Sequence, residues 1–296
     1  MTLISHSHEW INQIEYPFKH HYIELEDGTM HYVDEGSRET LLFVHGTPTW
    51  SFLYRNFIKE LSKHYRVIAI DHIGFGLSEK PETFKGRPQD HAHNLSEFIR
   101  KKNLREITLV LHDFGGPIGL AAAIKNPSRF KQFVLFNTWL WETASNKKAR
   151  KVDKIINSVF GKFLYLWLNF SPRFLLKQGF ADKRNLPKKI REQYLLPFPV
   201  KSSRWSLYRI AQSLVGASDW YHQQWQQLSA IEDKPWLILW GTEDEFITID
   251  YLQRWKHRLP HAEVYTFDCG HFVQEERPES ALSKMKAFLS QYSIAG

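Results

Sequence analysis

A chain of 296 residues that is 43 % apolar and 15 % aromatic has enough apolar material to fill a large core and line a greasy pocket, so a disordered or low-complexity chain is excluded. Its single cysteine, Cys269, excludes an intrachain disulfide and suits a reducing compartment. The net charge of +7 is local: Lys147 to Arg209 carries 16 Lys and Arg against three acids while the rest is net acidic, so no nucleic-acid partner is expected.

Met1 to Trp10 has no apolar run of signal length and no segment approaches a membrane span, so a cytoplasmic protein is expected. Ile23 to Val33, with Asp27-Gly28 at its centre, reads as a hairpin. Residues 41–44 form a buried-strand pattern that runs into the turn His45-Gly46-Thr47-Pro48. A strand over 66–70 leads to Gly74-Phe75-Gly76, which lacks the third glycine and acidic partner of a dinucleotide site and the Lys of a phosphate loop. His91-Ala92-His93 sits in a helical segment without metal-ligand spacing, so neither a cofactor nor a metal is expected.

Further strands fall at 107–111, 132–136, 236–240 and 263–267, with helices between. Such alternation predicts an α/β fold with a mostly parallel sheet covered by helices on both faces. The interruption at 138–215, rich in helix formers and carrying prolines at 172, 187, 197 and 199, reads as an inserted helical cap. The core is then discontinuous, 1–137 with 216–296.

The strand Ile107–Leu111 ends in His112-Asp113-Phe114-Gly115-Gly116, and the small residues Gly119 to Ile124 suit a packed helix. A strand, a tight turn and a helix are the context of a nucleophile elbow. Of the two glycines of the serine enzymes' GxSxG pattern only the second is kept, at Gly115, and aspartate replaces serine. The chemistry changes with it. A serine attacking a saturated carbon forms an ether that resists water, whereas a carboxylate forms an ester that water can cleave. The competing reading is a helix N-cap aspartate.

Two later strand ends supply partners in the order an α/β hydrolase requires. Trp236–Trp240 leads to Asp244, and the strand ending at Phe267 leads to His271. Any one of these residues alone reads as a turn former or packing residue; the three together read as nucleophile, acid and base. The backbone N–H groups of Thr47 and Phe114 are expected to form the oxyanion hole.

The segments 45–55, 71–81, 109–120, 136–141, 240–247 and 270–279 resemble the α/β-hydrolase family that contains haloalkane dehalogenases, with epoxide hydrolases as close relatives. That resemblance implies the α/β-hydrolase fold, Asp113 as nucleophile, His271 as the base that activates water and Asp244 as its orienting carboxylate. It implies a small hydrophobic substrate, with carbon–halogen hydrolysis leading and epoxide hydrolysis second. Residues 71–78 and 107–116 also resemble β-lactone decarboxylases, and a ligand-binding member of the fold is the non-enzyme alternative.

Two positions depart from the dehalogenase pattern. Phe114 stands where that family usually has a Trp whose indole N–H holds the halide, and Thr47 stands where it has Asn or Glu. A lost transition-state donor costs on the order of 3 kcal/mol, about a hundredfold in rate. Thr47 itself, Trp139, Trp141 and Trp167 are the candidate replacements at the leaving group, and Tyr165, Tyr194 and Tyr208 are candidate acids for an epoxide. Phe163-Leu164-Tyr165-Leu166-Trp167-Leu168, set among the cap's basic residues, suits either contact with an anionic membrane surface or helices with solvated Lys and Arg outside and aromatics against the cavity. Composition favours the second.

Overall fold

The computed structural model describes residues 9–292, so the reading of the N-terminal stretch falls mostly outside the described residues. Eight strands form one sheet: β1 (His21–Leu25), β2 (Gly28–Glu35), β3 (Thr40–Val44), β4 (Arg66–Ile70), β5 (Ile107–Leu111), β6 (Phe130–Phe136), β7 (Trp236–Gly241) and β8 (Glu263–Phe267). Their order is β1-β2-β4-β3-β5-β6-β7-β8. β1–β2 and β2–β4 pair antiparallel, and every other pair is parallel.

β3 and β5 are buried at every residue, as strands covered on both faces must be. Side chains alternate between two cores: Leu42, Val44, Leu109 and Leu111 face one, while Leu41, Phe43 and Val110 face the other. The first core is closed by α2 (Pro88–Lys101) and α3 (Gly115–Lys125), and the second by α1 (Arg55–Leu61).

Between β6 and β7 run α4 (Lys147–Ile156), α5 (Val159–Leu168), a π-helical turn (Ser171–Leu175) entering α6 (Leu176–Gln178), α7 (Lys188–Leu195), α8 (Trp205–Gly216) and α9 (Ser218–Gln226). The Asn146 side chain caps α4 by accepting from the N–H groups of Lys148 and Ala149, and Ser158 caps α5 through Gly161 N–H. Asn169 ends α5 in a left-handed conformation, φ 52°. α9 packs on α3, returning the chain to the core.

Of the two readings of the aromatic run, the favoured one, with aromatics against the cavity, holds for Tyr165 and fails for Phe163 and Trp167. VFGKFLYLWL is apolar on nearly every side, so one face has nothing left to bury it. Tyr165 and Leu166 point inward, whereas Phe160, Phe163 and Trp167 are exposed. After β7 come α10 (Ile249–Arg258), α11 (Val273–Glu276) and α12 (Pro278–Gln291), with α12 packed beside α1. Among the described residues no helix is long and apolar enough to cross a membrane.

Register decides where the loops emerge. Val44 lies opposite Leu111, Phe136 opposite Leu239, and Gly241 opposite Phe267. The turns after β3, β5, β6, β7 and β8 therefore leave along one edge, the carboxyl edge where ligands of open parallel sheets bind.

Candidate active site

Asp113 follows β5 with φ 52°, a left-handed conformation that a non-glycine residue holds only when its surroundings enforce it. Its N–H donates to the Asn137 carbonyl at 3.0 Å, and its own carbonyl accepts from Gly116 N–H at 3.0 Å and from Thr138 Oγ1 at 2.6 Å. A Cβ at Gly115 would lie 2.3 Å from the Val44 carbonyl, so the turn can press against β3 only with glycine there. A Cβ at Gly46 would lie 2.1 Å from Asp113 Oδ1. Both glycines thus serve to let the carboxylate sit against the 45–48 turn.

That carboxylate is held asymmetrically. Thr47 N–H donates to Oδ1 at 2.8 Å, and the Phe114 N–H also bonds the group. Oδ2 instead faces His271 Nε2 at 3.5 Å. On its other side the imidazole donates from Nδ1 to Asp244 Oδ2 at 2.6 Å. Asp244 is fixed in turn: its Oδ1 accepts from the N–H groups of Phe246 and Ile247 at 2.7 and 3.0 Å, and its Oδ2 accepts from Asn137 Nδ2 at 2.9 Å. His271 N–H donates to the Gly179 carbonyl at 2.7 Å, tying the loop to the segment after α6.

Charge follows this geometry. Burial alone would lower the His271 pKa, but the charge and hydrogen bonds of Asp244 and Asp113 outweigh it and raise it to about 10. Burial pushes Asp113 upward, yet the hydrogen bond and charge of His271 hold it below the usual carboxylate range. Resting Asp113 is therefore an anion beside an imidazolium.

A cavity of about 340 Å³ opens over these groups. Thr47, Pro48, Asp113, Phe114, Trp139, His271 and Phe272 form its floor, and Ala149, Val152, Ile156, Tyr165, Leu175 and Leu214 contribute its walls. The walls are mainly apolar, which suits a small hydrophobic molecule. Two donors on the floor have no hydrogen-bond partner among the described residues: the indole Nε1 of Trp139, a residue 3 % exposed, and the hydroxyl of Thr47. Trp139 meets the Phe114 ring edge-on at 4.9 Å, so the indole stands beside the position where the dehalogenase pattern puts its Trp.

The other two tryptophans offered by the sequence are corrected. Trp141 does not line the cavity; it packs against Trp225, Tyr251 and Trp255. Trp167 is exposed on α5, with the Lys201 ammonium over its ring at 4.6 Å. Of the three tyrosines only Tyr165 lines the cavity. Tyr194 donates to Glu275, and Tyr208 is buried beside Tyr165 and Trp205.

Sequence reasoning passed over Asn137 and His112. Asn137 joins Asp113, Asp244 and Gly241 through four hydrogen bonds from one position just past β6. His112, whose pKa burial lowers to about 3, is a neutral ring that donates from Nε2 to the His271 carbonyl at 2.9 Å. A polar residue directly after a fully buried strand end was the available signal for both.

The strand order, the elbow and the Asp–His pair at the carboxyl edge are those of an α/β hydrolase: a model of the alpha/beta hydrolase fold matches residues 39–278, and the chain belongs to that family. Among curated relatives, cis-3-alkyl-4-alkyloxetan-2-one decarboxylase of Shewanella oneidensis is 33 % identical over 289 residues, which span 93 % of this chain and 89 % of that protein. Haloalkane dehalogenase 2 of Mycobacterium tuberculosis is 30 % identical over 267 residues, 89 % of this chain and 92 % of that one. The crystal structure of haloalkane dehalogenase DatA from Agrobacterium tumefaciens C58 superposes with a TM-score of 0.86 at 25 % identity, covering 96 % of this chain and all of that one, 100 %.

Proposed function

We propose that the chain is an aspartate-nucleophile hydrolase of small hydrophobic haloalkanes, working through a covalent alkyl ester on Asp113. The observation that carries this is the Asp113–His271–Asp244 array, at 3.5 and 2.6 Å, on the floor of an apolar cavity. Asp113 Oδ2, free of the backbone N–H that holds Oδ1, attacks the halogen-bearing carbon; the C–O bond forms as the carbon–halogen bond breaks and halide departs. The unpartnered N–H of Trp139 and hydroxyl of Thr47 are the donors that receive it. The helices between β6 and β7 act as a cap that keeps bulk water out.

Alkylation also switches the base. The ester carries no charge, so His271 loses one of the two carboxylates that raise its pKa and releases its proton. The neutral imidazole then takes a proton from water as the oxygen adds to Cγ of the ester. Thr47 N–H and Phe114 N–H hold the oxyanion formed on Oδ1. Collapse returns the Asp113 carboxylate and the alcohol, and Asp244 keeps Nδ1 protonated and the ring aimed throughout.

The 33 % identical decarboxylase favours a second reading on the same residues. Attack of Asp113 on the alkyl carbon of a β-lactone opens the ring to a carboxylate, and loss of CO2 then forms an alkene as the aspartate leaves, with no water consumed. An epoxide would need a tyrosine acid such as Tyr165, which lines the cavity along with Tyr251. A panel of 1-bromoalkanes, terminal epoxides and 3,4-dialkyl-β-lactones separates the three by product. Free bromide with alcohol supports haloalkane hydrolysis, and diol or alkene without bromide release overturns it.

A further inference from the structure

From the exposed residues of the cap we infer a docking surface for an anionic lipid bilayer, formed by α4, α5 and the Ser171–Leu175 turn beside the cavity entrance. Val159 is 89 % exposed, Phe160 63 % and Trp167 59 %, and Ile155, Phe163 and Phe174 are exposed with them. Large side chains scattered singly on a surface need no explanation, but contiguous ones mark an interaction site. These are ordered. Phe160, Phe163 and Trp167 follow helical i, i+3, i+7 spacing along one side of α5, and Lys148, Lys151, Val152 and Ile155 do the same on α4.

Charge identifies the occupant. Residues 147–178 contain eight Lys and Arg and one acid, Asp153. Lys151 and Lys154 flank Val152 and Ile155, Lys162 precedes Phe163, and Arg173 precedes Phe174, and all four cations are exposed. Aromatics at the acyl boundary with cations around them are the composition of a helix lying in the plane of an anionic interface. An acidic peptide would match the cations but leave the broad aromatic face of α5 unfilled.

Position gives the surface a use. Val152 is exposed and also lines the cavity, and Leu175, next to the exposed Phe174, lines it from the other side. A molecule dissolved in the bilayer would meet the entrance without crossing bulk water. This inference concerns where the cap sits and does not depend on which bond is cleaved inside.

The test is flotation of the purified full-length chain with phosphatidylcholine vesicles, with and without phosphatidylglycerol, at low and high salt. The surface predicts binding to the anionic vesicles that weakens with salt, is weakened by Lys151→Glu with Lys154→Glu, and falls roughly tenfold for each aromatic removed in Phe160→Ser with Phe163→Ser. Unchanged thermal unfolding of the serine variant shows that it still folds. Absence of flotation with anionic vesicles overturns the inference. So does a concentration-dependent dimer by light scattering that the serine variant abolishes, because the face is then covered by a second copy.

Discussion

Asp113→Asn isolates the electrostatic step on which the proposed second half-reaction depends. Asparagine keeps the shape of the side chain and an Oδ1 acceptor for Thr47 N–H, so the substitution removes charge and little else, as alkylation does. At 3.5 Å and an effective dielectric near 20, a carboxylate and an imidazolium attract by about 5 kcal/mol, an upper bound because the partners relax. Asp244 supplies the largest share of the upward shift of His271, so removing Asp113 should lower the His271 pKa by about 1 to 2 pH units, on the order of 2 kcal/mol. Long-range proton–nitrogen NMR titration reads it, with the His271 ring assigned by comparison with His271→Gln. Stability gives a second readout. A folded pKa of about 10 against 6.5 means that His271 contributes stability fully present below pH 6.5 and lost as pH rises through about 10. The wild-type chain should therefore lose stability across that window, and Asp113→Asn should lose less and finish losing it at lower pH. A His271 midpoint in the variant equal to or above that of the wild type would mean that the Asp113 charge does not hold the imidazolium.

Trp139→Phe removes the buried indole N–H but keeps an aromatic filler, and bromide release should fall by about a hundredfold in a single-turnover assay while hydrolysis of preformed ester is unaffected. Gly46→Ala places a methyl group 2.1 Å from Asp113 Oδ1, so it should abolish ester formation while circular dichroism stays that of the wild type. Glu275→Gln breaks a buried bidentate pair in which Arg55 donates to Glu275 at 2.6 and 2.8 Å, and denaturant unfolding should show a loss of about 3 kcal/mol. The Glu15 carboxylate, 3.5 Å from Arg55 Nε, keeps that loss at the lower end for a stranded buried cation.

The core strands were legible because each is a short apolar run bounded by turn residues: β4, β5 and β8 lie at the residues read from the sequence, and β3, β6 and β7 extend them by one or two. The hairpin around Asp27-Gly28 is β1 and β2. The site was legible for a related reason, since Asp113, Asp244 and His271 all follow strand ends, and the parallel register brings strand ends to one edge. What the sequence hid were directions. Trp139 and Trp141 are two residues apart just after β6, yet one faces the cavity and the other packs on α10, and composition is identical for both outcomes. α5 is apolar on nearly all sides, so periodicity could not mark which side chains stay exposed. Asn137 escaped notice because its four hydrogen bonds reach residues distant in sequence, such as Gly241 and Asp244.

The proposed chemistry turns on an ester at one residue. His271→Gln removes the proposed base while leaving Asp113 its backbone donors, so incubation with a 1-bromoalkane should leave the intact protein heavier by one alkyl group, with peptide mapping placing it on Asp113 and one equivalent of bromide released. An unmodified mass across a broad set of chain lengths, or an alkyl group on any other residue, would contradict it.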